Sequence, residues 1–282
     1  MKQVLRHLLR SKAGMIGLAI VVASVMIALF APLIAPTDPT QMNLQARLTP
    51  PAWSLFERYP LGTDQLGRDI LSRILMGSRI TLLVAAIAVL VGGTLGITLG
   101  LCAGYFGGWT DRIIMRLADV QLSVPLMLFA LIVIAALGAS LTNLIAVLAL
   151  TGWTRYARVV RGEVLSLRER EFVLMARAAG ARGPRIIFWH ILPNVMTAAI
   201  VVATLELARV VILESALSFL GFGVQPPDAS WGRMLADGRG YIVSAWWLST
   251  FPGIAIVLVV LGVNLLGDWM RDYFDPKLAG SR

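Results

Sequence analysis

Between Asp119 and Arg155 the chain runs for 35 residues without a charged side chain. As one helix at 1.5 Å per residue, that stretch would be about 52 Å long, well beyond the ~30 Å of hydrocarbon in a bilayer. It is too long for one crossing, and Gly138-Ala139-Ser140 is the natural break. The rest of the chain is of the same kind. Hydrophobic residues make up 57% and charged residues 15% of the 282, against roughly 45–50% and about 25% in soluble domains. A soluble globular enzyme and a disordered chain are both excluded.

The pattern predicts an all-α polytopic membrane protein with six transmembrane helices, at about 15–34, 80–105, 116–137, 141–157, 194–219 and 245–266. The first is stopped by Pro36 and Pro39 and reads as an uncleaved signal anchor, because its apolar stretch is too long for a secretory signal. The second carries Gly92, Gly96, Gly100 and Gly104, a stripe along one helical face where another backbone can approach closely. Six spans place both ends on one side. That side holds 17 of the 25 Lys and Arg residues and the opposite side 7, which makes both termini cytoplasmic. The formal charge of +9 thus follows topology and does not call for nucleic acid. The single cysteine, Cys102, permits no internal disulfide, and with two histidines no metal site is expected.

Three regions follow. Residues 1–79 form a cytoplasmic tail, the first helix and an extracytoplasmic loop; 80–274 form a five-helix core with a cytoplasmic coupling loop at about 158–193; 275–282 form a cytoplasmic tail. In the outer loop, Thr63 or Asp64 can cap a helix that places Leu66, Ile70, Leu71, Ile74 and Leu75 on one face and pairs Asp69 with Arg73. That reads as an interfacial helix lying on the outer leaflet and leading into the second span.

The segment 155–193 is far longer than two helices need for a connection and holds 8 of the basic residues. Phe172, Met175, Ala176 and Ala179 share a helical face, Gly180 suits the position after a helix end, and Gly183-Pro184 can start a second helix. Ile186, Ile187, Trp189 and Leu192 follow, with Pro193 separating this segment from the fifth span. By physics alone, such a helix–glycine turn–helix lies on lipid headgroups or enters a groove on a soluble partner.

Ala176-Arg-Ala-Ala-Gly180, followed after nine residues by His190-Ile-Leu-Pro193, resembles the EAA loop of bacterial ABC importer permeases. Ala176, Gly180, Leu192 and Pro193 are in register with that pattern; Leu174, Met175 and His190 depart from it. Pro60-Leu-Gly-Thr-Asp64, Gly67-Arg68-Asp69, Ser72-Arg73, Glu214-Ser-Ala-Leu-Ser-Phe-Leu-Gly221, Gln225-Pro-Pro227, Trp231-Gly232 and Asn264-Leu-Leu-Gly-Asp268 resemble the dipeptide, oligopeptide and nickel type of that family, in its shorter-loop member. The resemblance implies one half of an ATP-driven import path for small peptides, with nickel complexes or other small solutes as alternatives. It implies a second, homologous permease, two cytoplasmic ATPase subunits and an extracytoplasmic solute-binding protein, in the bacterial inner membrane. Phe172, Met175, Ala176, Ala179, Gly180, Pro184, Leu192 and Pro193 would then contact an ATPase.

The three lysines, Lys2, Lys12 and Lys277, lie in no phosphate-binding loop, so ATP and magnesium belong on partner subunits, and the chain itself is no enzyme and binds no cofactor. A serine protease built on Ser140 and His190 is rejected, since the expected topology puts about a bilayer's thickness between them. A gradient-driven carrier is the other class, but no internal repeat is present. Within the fifth span Glu206, Arg209 and Glu214 are ionisable, and either line the path or pair to hold helices together.

Overall fold

The computed structural model describes residues 7–52, 54 and 57–274. The expected tail 275–282 and the basic residues Lys2 and Arg6 lie outside them. The helices are α1 (Lys12–Ile34), α2 (Ile70–Phe106), α3 (Gly108–Ser123), α4 (Leu126–Leu137), α5 (Leu141–Leu167), α6 (Glu171–Ala178), α7 (Gly183–Phe219), α8 (Trp231–Gly238) and α9 (Trp247–Phe274). By length and composition α1, α2, α7 and α9 suffice to cross a membrane, and α3 with α4 make a fifth candidate bent by 90°.

That bend corrects the expected continuous span at 116–137. Val124 is extended (ψ 128°) because the ring of Pro125 disfavours a helical residue before it. The expected span at 141–157 is the first part of the 27-residue α5. Ser140 caps it, its Oγ accepting from the Asn143 amide at 3.2 Å, just after Gly138 turns the chain at φ 90°. Because α5 continues to Leu167, Arg158 and Arg161 lie on a helix and not in the expected loop from 158.

The outer segment also differs. Asp69, not Thr63 or Asp64, is the cap: its Oδ2 accepts from the amide of Ser72 at 2.8 Å and its Oγ at 2.6 Å. From Ile70 the chain is already α2, so the separate interfacial helix is replaced by the first turns of a 37-residue helix. Asp64 instead closes a tight turn, accepting from the amides of Leu66 at 2.8 Å and Arg68 at 2.9 Å.

The glycine stripe is the seam between α2 and α5. A Cβ on Gly92 would meet the carbonyl oxygen of Ala149 at 2.7 Å, one on Gly100 that of Ala157 at 2.7 Å, and one on Gly104 that of Arg161 at 3.1 Å; Gly96 faces Trp153 in the same way. Partners advance in the same direction on both helices, so α2 and α5 run parallel. The chain must therefore return between them, and α3 and α4 make that return. On the far side α1 crosses α9 antiparallel: a Cβ on Gly14 would meet the Trp269 ring at 2.7 Å, and one on Gly17 the amide nitrogen of Leu266 at 2.7 Å. Most of α1 is left exposed, as suits a helix in lipid. The main core joins α2, α4, α5, α7, α8 and α9.

Candidate functional site

The elbow after α5 has the expected shape. Helix α6 ends with the Gly180 amide donating to Arg177 O and the Ala181 amide to Ala176 O, each at 3.0 Å. This pair of bonds closes a helix end through a left-handed residue, and Gly180 supplies it at φ +81°. The second arm is not separated from the fifth span by Pro193. Helix α7 runs through from Gly183 to Phe219, widening to a π-helical turn at Ile187–Ile191. There the Leu192 amide reaches back to Ile187 O, and the Asn194 side-chain amide donates to His190 O at 2.7 Å. The local widening accommodates a residue without an N–H, which would break a regular helix.

What seats the elbow is a residue beside the expected stripe and not one of its members. Val173 is fully buried and packs with Leu101, Val160, Val164, Ile186, Ile187 and Ile191. The elbow is thereby keyed to α2, α5 and α7 together. Gly183 lies against the ring of Tyr105, and the Arg177 guanidinium stands 6.0 Å over that ring. Phe172, Met175, Ala179, Gly180, Pro184 and Pro193 are exposed, while Ala176 and Leu192 are half-buried. Phe188 and Trp189 are also exposed, at 63% and 77%. The elbow thus presents an unpartnered face of apolar side chains set among Arg170, Arg177, Arg182 and Arg185. Val173 was legible only as the residue between two members of the stripe.

The ionisable residues of α7 separate into two groups. Glu206 is enclosed between α5 and α7. Its Oε2 accepts from Arg209 Nη1 at 3.0 Å, as the spacing predicts, and its Oε1 is 2.9 Å from Arg155 Nη1, which the sequence reading missed. Arg155 stands at the end of the expected fourth span, where a basic residue reads as a topology signal, and only the packing of α5 on α7 brings it to Glu206. Glu214 is elsewhere. It is completely buried, accepts from Ser218 Oγ at 2.7 Å and Ser215 Oγ at 3.4 Å, and has the Ser230 and Thr81 hydroxyls beside it. It sits where α7 meets α2 and the start of α8, whereas Arg209 pairs with Glu206.

At the opposite end, Arg73 does not pair with Asp69. Its Nη1 is 2.5 Å from Asp64 Oδ2 and its Nη2 3.3 Å from Asp237 Oδ2, and Arg68 Nε is 2.6 Å from the same Asp64 oxygen. The Trp247 indole donates to Thr63 O at 3.1 Å and that of Trp231 to Ile74 O at 3.0 Å. These bonds tie the 60–74 segment to α8 and α9. Among the described residues no cluster of three or more His, Cys, Asp or Glu could hold a metal.

Residues 96–280 match the family described as binding-protein-dependent transport system inner membrane component, and residues 1–51 match the N-terminal transmembrane domain of oligopeptide transport permease C. The dipeptide transport system permease protein DppC of Alkalihalophilus pseudofirmus is 42% identical over 98% of this chain and 90% of its own length. The di/tripeptide transport system permease protein DppC of Pseudomonas aeruginosa is 41% identical over 99% of this chain and 92% of its own. Among solved structures, a chain of the MetNI methionine ABC transporter in an inward-facing conformation superposes with a TM-score of 0.55. It covers 72% of this chain and 97% of its own at 18% identity, a likeness of fold.

Proposed function

Since the chain belongs to the family of inner membrane components of binding-protein-dependent transport systems, we propose that it is a permease subunit of an ATP-driven importer of small peptides. The observation that carries this reading is the end-to-end similarity to dipeptide permeases at about 40% identity. The chain forms half of the translocation path, with a second homologous permease as the other half. Two cytoplasmic ATPase subunits hold the ATP and magnesium, and an extracytoplasmic solute-binding protein delivers the cargo.

The chain crosses the inner membrane six times with both termini in the cytoplasm. The parallel course of α2 and α5 supports this, because it calls for a return through α3 and α4, and so makes α5 a crossing despite its basic C-terminal half. The tail and α1, the outer segment to residue 79, the core from 80 to 274 and the tail from 275 are the working regions.

Coupling runs through the elbow. Phe172, Met175, Ala179, Gly180 and Pro184 meet an ATPase, while Ala176, Leu192 and Pro193 shape the arms. Since Val173, Ile186 and Ile187 key the elbow to α2, α5 and α7, a displacement imposed by the closing ATPase pair moves all three helices as a unit. Rigid-body movement of packed helices is an established mode of switching. Glu206 and Arg209 belong to the path, and Glu214 packs the outer half of α7.

The test is reconstitution. The permease pair with ATPases and binding protein in proteoliposomes takes up alanyl-alanine only with ATP. Uptake driven by a proton or sodium gradient, with the ATPases omitted, would overturn the proposal.

A further inference from the structure

Arg155 is anomalous for a residue within a crossing. It lies fourteen positions past Leu141, about 21 Å along α5, and its partner Glu206 lies thirteen before Phe219, about 20 Å along α7. Counted from these ends, both residues fall at one level, about two-thirds of the way across ~30 Å of hydrocarbon. Glu206 is 2% exposed and neutralises one positive charge, but two guanidiniums address it. The Arg209 side chain is 22% exposed, and that of Arg155 remains 50% exposed. A guanidinium at this depth does not face lipid; it faces water or another polar group.

The surroundings show which. One turn beyond Arg155, Val159 lines a cavity of about 690 Å³, with Val201, Val202 and Leu205 of α7, the polar Glu163 and Asn194, and Arg271 at the end of α9. Its size is that of a small-molecule site. Arg155, Glu206 and Arg209 are outside that lining, but Arg155 is one helical turn from Val159 on α5 and Glu206 directly follows Leu205 on α7.

Building on the importer reading, we propose that Arg155 is an anion-binding residue of the translocation path and takes the carboxylate of the passing peptide. Glu206 holds the guanidinium through Nη1, which leaves its remaining donors to a second carboxylate. The planar fork of arginine suits that group. Arg209, more enclosed, balances Glu206 so that Arg155 keeps a net positive charge to offer.

The test uses the full complex in proteoliposomes, with binding protein saturated by alanyl-alanine. Arg155→Gln lowers initial uptake at least tenfold, while peptide affinity of the binding protein is unchanged, and Arg155→Lys, which keeps the charge but loses the fork, falls between Arg155→Gln and wild type. The double variant Arg155→Gln/Glu206→Gln stays as slow as Arg155→Gln. If Arg155 served only to neutralise Glu206, the double variant would recover to within twofold of wild type, and the proposal would fall. Separately, Arg155→Cys in a Cys102→Ser background reacts with the anionic reagent 2-sulfonatoethyl methanethiosulfonate, and alanyl-alanine slows the reaction. A cysteine that never reacts would place position 155 against protein or lipid and overturn the assignment. Absence of ATP-dependent uptake in the wild-type complex would instead remove the importer reading, and the labelling would still report whether position 155 meets water.

Discussion

A methyl group added to Gly100 would stand 2.7 Å from the carbonyl oxygen of Ala157. The two backbones meet there with no room for a side chain, and a carbonyl fixed in a helix cannot turn away. In a membrane, where lipid tails are as apolar as leucine, such close packing is a main source of helix association.

Gly100→Ala is therefore expected to destabilise the bundle by about 1–3 kcal/mol, the usual cost of overpacking. Gly162→Ala, on α5 with nothing within 4 Å of the added carbon, should be neutral or slightly stabilising. Thermal unfolding of the two variants in detergent checks the contrast. Equal midpoints would refute the seam.

At Gly180 the space is open, yet φ is +81°. Gly180→Val thus costs only the conformational strain of a left-handed residue, about 1–2 kcal/mol. Membrane insertion should survive and peptide-stimulated ATP hydrolysis by the complex should be lost. Gly180→Asn, which tolerates this conformation, should keep both. Normal stimulation in the valine variant would refute a coupling role for the elbow.

Arg73 and Asp64 are 3% and 4% exposed, whereas Arg158 and Asp119, also paired, are 49% and 55% exposed. Asp64→Ala leaves two buried guanidiniums short of a partner and should cost about 3–5 kcal/mol. Asp119→Ala should cost at most ~1 kcal/mol. Unfolding midpoints at low and high salt distinguish them, since salt should move only the exposed pair.

Glu214 accepts from hydroxyls that can rotate. Glu214→Gln should assemble within twofold of wild-type yield, because its oxygen still accepts and the hydroxyls can turn to accept from its amide. Glu214→Leu strands several buried hydroxyls at about 1–3 kcal/mol each and should fail to assemble. Co-purification of the permease pair measures both.

Much was legible early because membranes impose simple rules. Apolar length marked α1, α2, α7 and α9, and a stripe of four glycines at one-turn spacing marked a seam. The turn at Gly180 was equally visible, since only a left-handed residue ends a helix in that way. Where the reading went astray, local chemistry overrode periodicity. Pro125 bent a stretch that hydropathy alone read as straight, and the π-turn before Pro193 let α7 run through a residue that ordinarily stops a helix.

By itself, the order of residues determined that this chain lives in a membrane, where most of its long apolar helices lie and that it turns back on itself at the glycine elbow. These depend on hydropathy, spacing and backbone preference, all of which are local. Which charges meet was decided only by tertiary structure. Arg155 finds Glu206, Arg73 passes over Asp69 for Asp64 and Asp237, and Glu214 is sealed among hydroxyls of three helices. Such pairings depend on the rotation and register of one helix against another, and those are set by how side chains and bare glycines pack between them.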